Sequence, residues 1–77
     1  MAREFRNSDL QMWEAFASTG EHGFPDSGRI VFRCRTDRDQ RPRFVDIEGD
    51  KSDAEARILD LSRAELKSLL STAQPLA

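Results

Sequence analysis

The chain has one cysteine, Cys34, and one histidine, His22, so it can neither close an intrachain disulfide nor assemble the thiolate and imidazole cages that hold structural zinc. It has no apolar run long enough to span a bilayer, and Met1-Ala2-Arg3-Glu4-Phe5-Arg6 does not resemble the start of a secretory signal. These absences point to a reducing, cytoplasmic setting without a membrane anchor. Internal repeats, low-complexity tracts and interdomain linkers are also missing. Residues 1–77 therefore read as a single small domain, near the size at which one core supplies only a few kcal/mol of net stability. With no covalent or metal staple expected, a homo-oligomer stays open.

Catalytic patterns are sparse. His22 has Ser18, Asp26 and Ser27 nearby, but neighbours in a glycine-rich loop are not held in the geometry of a triad. Cys34 alternates with Ile30 and Phe32 toward the expected core, where a desolvated thiol stays protonated and serves packing. Asp46, Glu48, Asp50 and Asp53 lack the ordered spacing and closing glutamate of a calcium loop, so they read as a solvated acidic edge. No enzyme, metal site or cofactor is expected from these residues.

What is present is a set of periodic segments. Ser62 and Glu65 form an S-x-x-E capping box. Leu66, Leu69, Leu70 and Ala73 then recur on one helical face, Arg63, Lys67 and Ser71 look outward, and Pro75 is the stop signal. A helix of about eleven residues is marginal alone in water, so its leucines must be buried on the rest of the chain or on a partner. Arg29 to Arg35 alternates Ile30, Phe32 and Cys34 against arginines, the period of a strand with one buried face. Residues 37–40 make a polar turn, and Arg43 to Glu48 supplies an antiparallel partner that Gly49-Asp50 ends.

Two stretches are ambiguous. Ser8-Asp9-Leu10-Gln11 has the spacing of a capping box ahead of a helix that Gly20 would stop; a β-hairpin fits too, with Arg3 to Arg6, a turn at residues 7–9, and Trp13, Ala15 and Ala17 on one side. The hairpin is preferred, because a two-stranded sheet is marginally stable and the later strands need neighbours. Ser52 and Glu55 form another capping box, and Ala54, Ile58 and Leu61 fall within a narrow helical arc, favouring a short helix over residues 53–61. A strand with Leu59 and Leu61 inward, or one helix from 53 to 73, competes with it. Residues 18–28 concentrate glycine, proline and serine and read as a long surface loop.

The expected fold is α+β: a small antiparallel meander of three to four strands, packed on one face by a C-terminal helix or helix pair. Trp13, Ala15, Ile30, Phe32, Val45 and Ile47 form its covered face, and Arg29, Val31, Arg33, Arg35, Phe44, Asp46 and Glu48 its uncovered one.

Charge is unevenly spread in a chain of net charge −2. Arg29, Arg33, Arg35, Arg38, Arg41 and Arg43 face only Asp37 and Asp39 in the same segment, a local balance of +4, whereas residues 46–65 carry a balance of −4. These six arginines are the candidate interaction surface. Arg29, Arg33 and Arg35 project in parallel from one strand face, and Arg38, Arg41 and Arg43 would extend the row along a phosphate backbone. Phe44, and Phe16 on the reversed facing of its strand, would add the stacking platform that single-stranded RNA requires. Against this, ten arginines to two lysines is a habit of the whole chain, and a pI near 5.3 is low for a free-standing nucleic-acid binder. A small chain with complementary charged regions and no catalytic apparatus is better suited to an unidentified protein partner, as an interaction or regulatory accessory module of a larger intracellular complex; nucleic-acid binding is the alternative.

Overall fold

The computed structural model describes residues 2–19 and 27–76. It shows five strands, β1 (Arg3–Arg6), β2 (Met12–Thr19), β3 (Gly28–Cys34), β4 (Arg43–Asp46) and β5 (Gln74–Pro75), with helices α1 (Lys51–Asp60) and α2 (Arg63–Thr72) between the last two. The strands lie in sequence order and every neighbouring pair is antiparallel. The expected α+β meander is present, with the helix pair on one face and a short fifth strand in addition.

Residues 9–18 belong to the hairpin, and Asn7 shows why the competing helix does not start. Its Oδ1 accepts the N–H groups of Asp9 and Gln11 at 3.1 and 2.9 Å, and its carbonyl accepts the Leu10 N–H at 3.1 Å. A local side-chain acceptor thus offers the backbone a turn in place of the first helical bonds. Leu10, 74% exposed, takes the left-handed φ of 62° that the turn demands. Trp13 and Ala15 point into the core from β2.

The loop expected over residues 18–28 is corrected at Ser18, Thr19 and Gly28, which are strand residues. Ser18 and Thr19 pair with Arg29 and Gly28 in the ladder, extending β2 and β3. Gly28 belongs in this strand because its backbone approaches the α1 N-terminus: its N–H donates to Gly49 O at 2.8 Å, and a Cβ there would lie 2.2 Å from Asp50 O. Residues 20–26, including His22 and Phe24, lie outside the described residues.

The capping box of α1 is Asp50 and Asp53, two residues ahead of the Ser52–Glu55 pair. Asp50 Oδ1 accepts the Asp53 N–H at 3.0 Å, and Asp53 Oδ2 accepts the Asp50 N–H at 2.9 Å. Gly49, at φ 108°, reverses the chain there, and a Cβ on it would collide with the Asp53 carboxylate. Ala54 and Ile58 are buried while Leu59 is 59% exposed, which removes the strand alternative. A second capping box, Ser62–Glu65, separates α2 from α1 with bonds of 3.1 and 2.9 Å. Leu66 and Leu70 are buried beneath α2, with Leu69 and Ala73 half-buried beside them.

α1 packs on β2 and β3, and α2 reaches β1 and β4. The core joins Phe5, Trp13, Ala15, Ile30, Phe32, Ala54, Ile58, Leu66 and Leu70, with Phe5 edge-on to Phe32 at 6.0 Å between centroids. Arg3, on this covered side of β1, donates through Nη1 to the carbonyls of Ile58, at 2.8 Å, and of Leu61. It thereby satisfies orphan acceptors at the end of α1 and puts a cation at the negative end of that helix. After Thr72 the chain extends, and Leu76 N–H donates to Pro42 O at 2.8 Å, fixing β5 on β4. Pro75, a stop signal in the sequence, is itself a residue of this edge strand.

Candidate interaction surface

Cross-strand partners share a face of the sheet, so the register defines what the helices leave open. One row of that face runs Glu4, Glu14, Arg33; the next runs Phe16, Val31, Phe44; the third runs Ser18, Arg29, Asp46. Arg6 and Met12 are paired at the hairpin end, and the Arg35 N–H bonds to Met12 O at 2.8 Å. The centre is therefore apolar and the flanks are charged. Val31 is only 6% exposed although no helix lies on this side, because Phe16 and Phe44 flank it directly.

Three of the arginines here, Arg29, Arg33 and Arg35, are paired. Glu14, with its side chain 13% exposed, bridges Arg35 Nη1 at 2.6 Å and Arg33 Nη2 at 3.5 Å. The hydrogen bond that Arg35 donates to Glu14, reinforced by the charges of Glu14 and Glu4, raises the Arg35 guanidinium above its ordinary, already high pKa. Arg29 Nε lies 3.1 Å from Asp46 Oδ1, and its Cζ sits 4.0 Å from the centroid of the Phe44 ring. Arg6, Arg29, Arg33 and Arg35 stand against Glu4, Glu14 and Asp46, so these seven residues leave a balance of only +1.

The six candidate arginines do not form one row. Arg29, Arg33 and Arg35 share the open face. Arg38 and Arg41 are exposed in the connection between β3 and β4, where Asp37 organises a turn by accepting the Asp39 N–H at 2.9 Å. Arg43 is opposite Phe32 on the helix-covered face, with Cζ 6.0 Å from the Trp13 ring. Its place in an extended arginine row is thus corrected: Phe44 takes the open position, and strand alternation sends Arg43 the other way. Cys34 pairs with Trp13 on the covered side, half-buried, with Sγ 3.7 Å from Thr36 Oγ1.

Glu14, which ties two of the arginines, is a residue of this surface that the composition and charge of the segment did not single out, whereas Val31, expected on the uncovered face, is the middle of its apolar row. The signal for Glu14 was the alternation itself, since Trp13 and Ala15 inward require Glu14 and Phe16 outward. Elsewhere, a cleft of about 230 Å³ near the hairpin is lined by Asp9, Gln11, Trp13, Arg43 and Lys67. Among the described residues no three His, Cys, Asp or Glu side chains are grouped to hold a metal ion, and no helix is long and apolar enough to cross a membrane. Comparisons with protein families, with curated proteins and with solved structures find no match to this chain.

Proposed function

We propose that the chain is a non-enzymatic protein-interaction or regulatory accessory module that docks onto a larger intracellular complex through the open face of its sheet. The observation that carries this reading is the Phe16–Val31–Phe44 row bordered by the Arg29–Asp46 and Glu14–Arg33/Arg35 ion pairs. An apolar centre with a polar rim of both signs is the anatomy of a protein interface. Arginines already neutralised by carboxylates contribute little net attraction for a polyanion, which makes a protein the favoured partner. The lone cysteine accords with a reducing, cytoplasmic setting.

Affinity capture from nuclease-treated lysate, read by mass spectrometry, tests this. A stoichiometric protein should be recovered with the wild type and lost with the Phe16→Ser/Phe44→Ser double variant. Recovery that needs nucleic acid, or that ignores both substitutions, overturns it. One observation favours a second reading, single-stranded RNA binding: the Arg29 guanidinium over the Phe44 ring combines charge with a stacking surface. Binding of pooled RNA would then fall steeply with salt, and the Arg33→Ala/Arg35→Ala variant would show a shallower salt slope. No binding at low salt removes this reading.

A further inference from the structure

The two edges of the sheet are built differently. Asn7 N–H donates to Gln11 O and Arg35 N–H to Met12 O, which fixes the phase of the antiparallel ladders. Phe5 and Arg3 turn their backbone groups toward β2, so Glu4 and Arg6 turn theirs outward. At the opposite edge β5 has two residues, and Gln74 and Leu76 face β4, which leaves Pro75, without an N–H, in the outward position. Pro75 blunts that edge against further pairing. β1 has four residues, no proline and, among the described residues, no partner beyond β2.

We infer that the outer edge of β1 pairs antiparallel with β1 of a second copy of this chain, joining two sheets about a two-fold axis at Phe5. Hydrogen bonding requires outward residues to oppose outward residues, which allows few registers. Centring on Glu4 opposes Glu4 to itself, and centring on Arg6 opposes Arg6 to itself. Centring on Phe5 opposes Glu4 to Arg6 twice, with four backbone hydrogen bonds. Charge selects this register alone.

Within the protomer Glu4 acts on Arg35 only at longer range. Glu4 lies opposite Glu14, a like charge, and no described residue of opposite charge lies within ion-pair distance of Glu4 or Arg6. An arginine arriving from outside offsets the Glu4–Glu14 repulsion. Arg63 and Lys67 flank β1 on the helix side in a groove of about 650 Å³, and their like charges across the axis keep the association weak. The expected Kd is on the order of 0.1 mM.

Charge exchange tests the pairing, with mass followed by sedimentation equilibrium. Both side chains are exposed, so Glu4→Arg and Arg6→Glu leave the fold intact, as circular dichroism will verify. Each variant alone places like charges opposite one another and should associate at least about tenfold more weakly than wild type. An equimolar mixture of the two restores opposite charges and should regain dimer, and the Glu4 and Arg6 amides should gain concentration-dependent protection from hydrogen exchange. A wild type that stays monomeric at about 1 mM overturns the inference. So does a mixture no more associated than its components, or a dimer whose protected amides lie elsewhere. None of these changes alters Phe16, Val31 or Phe44, so this edge and the open face stand or fall separately.

Discussion

Truncating Leu66 to alanine removes three carbons from a side chain that is 0% exposed, between α2 and the sheet. Burial that complete puts the loss in the range for core leucines, about 2 to 5 kcal/mol, because the transfer and cavity terms both apply. A domain of 77 residues has roughly 4 to 12 kcal/mol of stability, so the change consumes a large part of it. At about 4 to 8 °C per kcal/mol, a loss near 3 kcal/mol lowers Tm by about 12 to 24 °C. Leu69 and Leu59 calibrate this. Leu69→Ala, at a half-buried position, should cost about 1 kcal/mol, and Leu59→Ala, at an exposed one, within about 0.5 kcal/mol of nothing. Differential scanning calorimetry of the three variants provides the ranking. A Leu66→Ala protein melting within about 4 °C of wild type, or a larger loss at Leu69, would mean that the leucine face of α2 is not packed as described.

Arg3→Met keeps the aliphatic stem but removes the donors to Ile58 O and Leu61 O; it should cost about 1 to 2 kcal/mol in urea unfolding, whereas an unchanged midpoint would show that water serves those carbonyls equally well. The Glu65 carboxyl is held below the ordinary glutamate range, chiefly by the Ser62 backbone N–H and then by the Ser62 side chain. Because the folded state lowers this pKa, the contribution is complete above the unfolded-state value and disappears as pH falls through the folded one. NMR titration should therefore give a low Glu65 value, and Glu65→Gln should flatten that acid-side segment of the stability profile; a Glu65 titrating at or above the ordinary value contradicts the capping geometry. Gly28→Ala places a Cβ 2.2 Å from the Asp50 carbonyl oxygen, a backbone atom that cannot simply rotate away, and should cost more than about 2 kcal/mol by thermal unfolding; a neutral result would require β3 to sit farther from the start of α1.

Local signals carried much of the architecture. The Ser62–Glu65 box and the 3.6-residue leucine spacing were sufficient for α2, since a cap and an amphipathic face are properties of adjacent residues. Alternation in residues 29–35 likewise identified β3 and both of its faces. Where two boxes overlapped, as at Asp50–Asp53 and Ser52–Glu55, spacing alone was degenerate, and Gly49 with its positive φ selected the earlier start. The strand β5 was illegible because Gln74-Pro75 has no pattern of its own; it exists because α2 delivers the chain to the free edge of β4.

The amino-acid order by itself determined which segments alternate, which wind into helices and which side chains shun water, because those preferences act over a few residues. Tertiary structure alone decided that Glu14 would reach Arg33 and Arg35, that Arg43 would turn toward Trp13, and that Arg3 would cap a helix more than fifty residues away. Those outcomes depend on register between strands distant in sequence, and a register is set only when whole faces pack together.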